Sequence, residues 1–300
     1  MKILQLPLAR SMWYFIVRHY PVFACKLMYK KAVGGGKSLN LSDPKDLNEK
    51  INYLKFHADM NVWASLADKY AVREYVKGKG LEDILVPLYG KWDTSDGLLR
   101  DWDALPQKFI LKTNNGCGTV LPIKDKSGVD LDGLKKRLDK WLTKKDIGIG
   151  TVELHYNLIK PCIIAEELLE DPSVKSFSRS LVDYKIWCFE GKTFCCMAAY
   201  DREIGGSHHI FDLYDLNWNE HTELMSDKTP RHLIPRPKNW GRMKEIAGIL
   251  SAGHPQMRVD LYDIDGKIYF GELTMTSQGG YMDYFTDGFL LEMGSQFEVR

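Results

Sequence analysis

The run from Met257 to Thr274 carries the densest reactive chemistry in the chain. Arg258, Asp260 and Tyr262 alternate with Val259 and Leu261, so one face of a strand would be charged and the other apolar. Asp263 to Gly266 reads as a turn, and a returning strand brings Glu272 and Thr274. If the loop is odd-numbered or Gly266 carries a bulge, Asp260 and Glu272 share a face. Two carboxylates and a hydroxyl aimed at one cavity suit Mg²⁺, a hard cation that takes oxygen ligands and keeps substrate phosphates in its shell. Arg258 beside them could neutralise a transferring phosphoryl group, although a surface hairpin with a salt bridge would use the same residues.

A second constellation is a hairpin running from Phe109 to Val120, with Asn114-Asn115-Gly116-Cys117-Gly118 at its tip. Consecutive N–H groups in such a loop can cradle phosphate oxygens, with Lys112 as a point charge beside them. A plain hairpin turn would use the same Asn and Gly residues, and no Gly-Lys-Ser/Thr follows to make a Walker A loop. A third is the apolar run Cys162–Ala165, which ends abruptly in Glu166 and Glu167. A strand entering a linker there could offer backbone groups to an adenine, or be an ordinary edge strand. Asp183, Lys185, Asp201 and Arg202 add alternating charges on later strands.

Other chemistries find less support. Asp263-Ile264-Asp265 could hold a metal diphosphate, as a nucleotide-sugar glycosyltransferase requires, but Asp-Ile-Asp-Gly between alternating strands is ordinary turn chemistry. No Gly-x-Ser-x-Gly elbow supplies a nucleophile. The cysteines Cys25, Cys117, Cys162, Cys188, Cys195 and Cys196 form no C-x-x-C pair, and neither His208-His209 nor the other histidines have metal-ligand spacing with them. Reduced thiols in a cytoplasmic protein, without a zinc site, are the simplest reading.

Positioning these groups takes about two compact units, since 300 residues exceed the usual ~150 per domain. With 44% hydrophobic and 27% charged residues, the chain excludes disordered and fibrous classes. Helices are predicted at 44–57, where Leu47, Ile51, Leu54 and Lys55 recur at helical spacing, and at 62–80, 131–142 and near 247–250. Strands are predicted at 85–89, 109–112, 119–123, 162–165, 183–189, 193–199, 258–262 and 268–273. Runs of antiparallel strands without regular βαβ alternation make the fold α+β in two lobes.

The charge balance, 41 basic against 40 acidic residues, leaves no global nucleic-acid footprint but hides an asymmetry. No acid precedes Asp43, whereas Lys2, Arg10, Arg18, Lys26, Lys30, Lys31 and Lys37 are all basic. Arg18 interrupts the apolar run around Trp13-Tyr14-Phe15, so the segment reads as an amphipathic helical arm and not a secretory signal or a membrane span. Packing on the main body, peripheral attachment to an anionic membrane face and a basic substrate-binding arm all remain open.

Taken in order, these segments resemble the ATP-grasp superfamily. Leu66–Val76 with Leu85-Val86-Pro87 resembles the lead-in helix and strand, and the 109–120 hairpin the phosphate-covering loop. Ile163–Leu169 is similar to the adenine hinge, and Arg258-Val259-Asp260 with Gly271–Thr274 to the magnesium hairpin of D-alanine–D-alanine ligases. More narrowly, Leu39–Ile51, Asp68–Val76 and Tyr269–Thr274 resemble the TupA-like ATP-grasp family, linked to teichuronopeptide and other surface-polysaccharide synthesis and often labelled glycosyltransferases. The resemblance spans roughly residues 38 to 290. It implies two lobes of antiparallel sheet and helices clasping ATP, behind a basic helical extension. The boundaries it implies are 1–60 for the basic helical region, 61–104 for the lead-in, 105–165 for the small lobe and 166–300 for the large lobe.

Carried over, the resemblance makes Lys112 the holder of the α/β-phosphates, covered by Asn115, Gly116, Cys117 and Gly118. It gives adenine to Glu166, Glu167 and the backbone of Leu168 and Leu169, and ribose to Asp183. Lys185 and Arg202 would face the γ-phosphate or acyl phosphate, and Arg258 the transferring group. Asp260, Glu272 and Thr274 would bind Mg²⁺, with Thr274 where many ATP-grasp enzymes use Asn and Cys117 where related loops often carry Ser. Gln278-Gly279-Gly280 lies where ligases contact the acceptor. The implied reaction is phosphorylation of a carboxylate by ATP followed by attack of an amine, on a uronic acid or other carboxylate of a glycan precursor. Phosphorylation of a sugar or lipid hydroxyl would use the same ATP-binding parts, and a non-catalytic nucleotide-binding subunit would tolerate Asp260→Asn and Glu272→Gln. The implied setting is the cytoplasm, with the basic arm free to meet a membrane's inner face or other polysaccharide-assembly enzymes.

Overall fold

The computed structural model describes residues 7–34, 36–116, 118–144, 146–202, 210–226 and 233–299. Its first elements are α1 (Pro7–His19) and α2 (Pro21–Ala32), the predicted basic arm. Tyr20 leaves helical geometry between them, and Pro21 opens α2 at the position where a missing N–H costs nothing. The arm docks its inner face, including Trp13, Val17, Ala24 and Met28, on Leu39, Ile149, Val152 and Tyr281.

α3 (Leu47–His57) starts later than the sequence predicts, because Asp46 is its cap and accepts from the Glu49 N–H at 2.8 Å. Leu47, Ile51, Leu54 and Lys55 are all buried, as their spacing predicts. The single helix expected over 62–80 is two, α4 (Met60–Ala67) and α5 (Val72–Gly78). Asp68 divides them by drawing the N–H groups of Tyr70 and Ala71 onto its carboxylate, at 2.8 and 3.1 Å. β1 (Leu88–Trp92) begins beyond Pro87, which has no N–H for a ladder, and so lies three residues later than predicted. α6 (Ser95–Arg100), capped by Thr94, was not predicted.

β1 joins β2 (Phe109–Thr113), β3 (Val120–Ile123) and β4 (Ile163–Glu166) in an antiparallel sheet ordered β1-β4-β2-β3 among the described residues. α7 (Leu131–Leu142) matches its predicted bounds and buries Leu134 and Leu138 against Leu98, Phe109, Leu111 and Ile163 of this lobe.

The larger sheet is also antiparallel. It comprises β5 (Asp183–Phe189), β6 (Lys192–Tyr200), β7 (Ile210–Tyr214), β8 (Gln256–Ile264) and β9 (Lys267–Thr274), in the order β7-β6-β5-β8-β9. β5 is buried along its whole length, and α8 (Trp240–Ser251) covers the sheet with Trp240, Met243, Ile246 and Leu250. α9 (Asp287–Gly294) packs on α3 and ties the N-terminal helices to this lobe. The observed class is the expected α+β arrangement of helices with two antiparallel sheets.

Candidate active site

The hairpin of β8 and β9 sets the centre of the site. Its turn is tight, with Asp265 and Gly266 at φ 49° and 81° and Ile264 paired with Lys267, so Gly266 carries no bulge. The bulge lies at Gly271, since Asp260 pairs with Glu272 whereas the next pair is Leu261 with Phe270. Without that extra residue Asp260 would face Gly271, and Glu272 would point to the opposite side. Glycine is required there, because a Cβ on Gly271 would stand 2.9 Å from the Asp260 carbonyl oxygen.

The bulge brings Asp260 and Glu272 onto one face, where β5 adds its own charges. Lys185 lies opposite Asp260 in the ladder, and its Nζ reaches Asp260 Oδ2 at 2.5 Å and Asp183 Oδ2 at 2.6 Å. Arg258 forks onto Asp260, Nε to Oδ1 at 2.7 Å and Nη2 to Oδ2 at 2.8 Å. The same Nη2 reaches Glu272 Oε1 and Thr274 Oγ1, each at 3.1 Å, and Nη1 reaches Ser277 Oγ at 3.3 Å. Arg202 completes the group with Nη1 3.4 Å from Asp183 Oδ2. Three cations and three carboxylates thus alternate on one sheet face and balance formally.

Asp183, Lys185, Arg258 and Asp260 are buried, and Glu272 stands at the rim with 45% of its side chain exposed. Burial would raise the Asp260 carboxyl, but the charges of Arg258 and Lys185 overcome it and hold it near a pKa of about 2. Burial pushes Asp183 up, its Lys185 partner notwithstanding, and its Oδ1 has no hydrogen-bond partner among the described residues. Lys185 is held above its ordinary value, because Asp183 and Asp260 together outweigh its desolvation.

Oxygen donors of the type a hard cation takes meet at one point, and the Arg258 guanidinium stands there. One oxygen each from Asp260, Glu272 and Thr274 converges within 2.8–3.1 Å of a single positively charged nitrogen, Nη2 of Arg258. The sequence placed these oxygens together; that Arg258 stands at their meeting point is visible only in the fold.

The small sheet gathers a second group. Lys112 Nζ pairs with Glu166 Oε2 at 2.8 Å, and the other oxygen of Glu166 takes Arg73 Nη1 at 3.0 Å. Arg73 was missed in sequence, although it lies in the lead-in helix; nothing local marks it as the partner of a residue 93 positions away. Lys69 was missed likewise, and its Nζ reaches the Gly116 carbonyl oxygen at 2.7 Å, holding the glycine loop. Asn114 ties the same loop to Asp68 at 2.9 Å and to the Cys162 N–H at 2.8 Å. Asn115 is buried with its Oδ1 unpaired among the described residues, next to Gly116, while Gly118 closes the loop at φ 76°. Cys117 lies outside the described residues, as does His208-His209. Beyond β4, Glu167 gives its N–H to Pro87, and Leu168 and Leu169 run on half-buried outside any strand, with no backbone hydrogen bond among the described residues. No hydrogen bond or ion pair among the described residues joins this group to the Arg258 cluster.

Gln278, Gly279 and Gly280 form a left-handed loop at φ 45°, 66° and 73°. Lys55 supports it from below. Its Nζ donates to Asn52 Oδ1 and the Thr151 carbonyl, both at 2.9 Å, and to the Gly279 carbonyl, over the ring of Tyr281. Burial holds the Lys55 ammonium below its ordinary value. Asp263 and Asp265 do not converge, since Asp263 accepts from Asn239 and Asp265 sits exposed in the turn near Lys238.

A family model described as TupA-like ATPgrasp matches residues 49–298. The chain therefore belongs to the TupA-like ATP-grasp family. No curated protein matches it. Among solved structures it is similar to N5-carboxyaminoimidazole synthetase from Staphylococcus aureus complexed with ADP, at 15% identity over 70% of this chain and 45% of that one, TM-score 0.42. It is similar to D-alanine–D-alanine ligase from Helicobacter pylori at 14% identity, over 84% and 69% of the two chains, TM-score 0.46. It is also similar to the ATP-grasp ligase PsnB complexed with minimal precursor, Mg and ADP, at 12% identity over 99% and 73%, TM-score 0.41. The chain spans about half the length of the first solved structures it matches, 45% and 54%.

Proposed function

We propose that this chain is an ATP-dependent carboxylate–amine ligase working through an acyl phosphate. The observation that carries the reading is the interleaving of Lys185, Arg202 and Arg258 with Asp183, Asp260 and Glu272 on one sheet face. Such an array stabilises charge as it moves between oxygens and supplies no protein nucleophile. A carboxylate oxygen of the acceptor attacks the γ-phosphorus, and the bond from that phosphorus to the ADP oxygen breaks. The amine nitrogen then attacks the acyl carbon, the carbon–oxygen bond breaks, phosphate leaves and the nitrogen loses a proton to solvent.

In this reading Lys112 and the N–H groups of Asn115, Gly116, Cys117 and Gly118 hold the phosphates. Glu166, Glu167 and the backbone of Leu168 and Leu169 hold adenine, and Asp183 offers an acceptor to ribose. Lys185 and Arg202 neutralise the γ-phosphoryl oxygens, while Arg258 follows the transferring group. Asp260, Glu272 and Thr274 would hold Mg²⁺, which when bound supplies charge neutralisation on the phosphate oxygens. The division at residues 60, 104 and 165 belongs to the same proposal, with the lead-in lending β1 to the small lobe's sheet. In this reading the acceptor is a uronic acid or other carboxylate of a surface polysaccharide or its precursor, and the nucleophile an amino acid or amine.

The test is release of ADP that depends on both a carboxylate and an amine, with hydroxylamine substituted for the amine. A hydroxamate shows the acyl phosphate. ADP release into a stable phosphoester, with no hydroxamate, would replace this reading with phosphorylation of a hydroxyl.

A further inference from the structure

The arm is only half accounted for by its packing. Its inner face joins Tyr281 and Val152, yet its outer face carries large apolar side chains in the open. On α1 these are Leu8, Met12 and Phe15, spaced i, i+4, i+7, and Leu8 is 88% exposed. On α2 they are Phe23 and Leu27, spaced i, i+4, with Phe23 58% exposed, and Tyr20 stands exposed at the corner between the helices. The spacing within each helix is helical, so these side chains form faces and not scattered residues. Arg18, Lys26, Lys30 and Lys31 are exposed around them, and no acid precedes Asp43 to offset them.

We propose that the outer face of α1 and α2 docks on an anionic phospholipid bilayer. An apolar stripe rimmed by cations is the chemistry of an interfacial helix, whose rings and alkyl chains enter the headgroup boundary while Lys and Arg meet anionic headgroups. No helix among the described residues is long and apolar enough to cross a membrane, so the contact is on the surface. The inner face fixes how the body sits. It packs on Tyr281 beside the Gln278–Gly280 loop, so docking holds that end of the molecule at the lipid. That this end receives an acceptor rests on the ligase reading; the docking itself does not.

The experiment is flotation of the full chain with vesicles of phosphatidylcholine alone and of phosphatidylcholine with about 30% phosphatidylglycerol. The expected result is binding roughly tenfold or more tighter to the anionic vesicles, abolished by high salt. Leu8→Ser/Phe15→Ser/Phe23→Ser should lose it, and Arg18→Gln/Lys26→Gln/Lys30→Gln should weaken it strongly. Both variants change exposed positions, and an unaltered melting temperature confirms that they fold. Absence of binding to anionic vesicles would overturn the proposal, as would equal binding to neutral ones. Self-association in sedimentation velocity that the serine variant abolishes, without lipid binding, would assign the face to a second copy. Neither arm uses ATP, so failure here leaves the ligase reading standing, and the reverse holds.

Discussion

Asp260→Asn isolates the electrostatic role of the residue on which the central cluster turns. The two side chains are nearly the same size, so packing is unchanged and only the charge is lost. Asp260 is 1% exposed and receives three charge-assisted bonds, from Arg258 at 2.7 and 2.8 Å and from Lys185 at 2.5 Å. Removing it leaves Arg258 and Lys185 buried beside a diminished counter-charge, and breaking a buried pair from one side costs about 3–5 kcal/mol. For a chain of this length that corresponds to a melting temperature lower by roughly 6–10 °C. The same loss is expected whether or not the chain catalyses a reaction, because the buried network is part of the fold.

The acid limb gives an independent check. The folded pKa of Asp260, about 2, lies below its ordinary 3.8, so its stabilisation is complete above pH 4 and lost as pH falls toward 2. The loss is worth about 2 kcal/mol, because each tenfold change in a protonation equilibrium corresponds to about 1.4 kcal/mol. Thermal unfolding followed by circular dichroism at pH 7 and between pH 4 and 2 measures both effects. A variant melting within about 1 °C of the parent, with the same acid limb, would refute the placement of Asp260 as the anchor of two buried cations.

Three further outcomes are expected. His155 is buried with neither ring nitrogen paired among the described residues, and burial lowers its pKa to about 4 from 6.5. The unfolded chain therefore binds a proton in that window while the folded one does not, so stability should fall by about 3 kcal/mol from pH 6.5 to 4, and His155→Phe should flatten the loss in chemical denaturation. Gly271→Ala sets a Cβ 2.9 Å from the Asp260 carbonyl oxygen, which should cost about 1–3 kcal/mol in urea unfolding and weaken ATP binding in calorimetry by displacing Glu272. Lys112→Ala removes a cation paired with the buried Glu166, so ATP affinity should fall roughly tenfold or more and the melting temperature should fall as well, limited by Arg73, which stays on Glu166.

How much of this was legible in sequence follows from whether the deciding interactions were local. α7 matched its predicted bounds because Asp130 caps it and Leu131, Leu134 and Leu138 lie on one face. β5 was equally plain from the apolar stretch Ile186–Phe189 that ends it, and the strand is buried on both faces. The break between α4 and α5 was not, since a single carboxylate, Asp68, competes with helix continuation. β7 and α9 were missed because their stability comes from the sheet edge and α3 they rest on.

In the site, the i,i+2 spacing of Arg258 and Asp260 placed them on one face. The partnership of Asp260 with Lys185, 75 residues away, depended on a strand register that spacing does not set. An odd-numbered loop or a bulge at Gly266 was the route by which the two carboxylates could share a face; the bulge that does so lies at Gly271, where close contact with the partner strand demands glycine. Arg73 and Lys69 escaped notice because their roles exist only once α5 and the segment before it meet the small sheet.

The most direct measurement of the central claim is thermal unfolding of the chain with ATP, ADP, UDP-glucose and UDP-glucuronate, each with and without Mg²⁺. A ligand bound only by the folded state raises the melting temperature by mass action. ATP with Mg²⁺ should raise it, and Glu272→Gln, a change at the half-exposed rim, should melt like the parent without ligand and lose the rise. Stabilisation by a UDP-sugar with no effect of ATP would contradict the account and assign the site to glycosyl transfer.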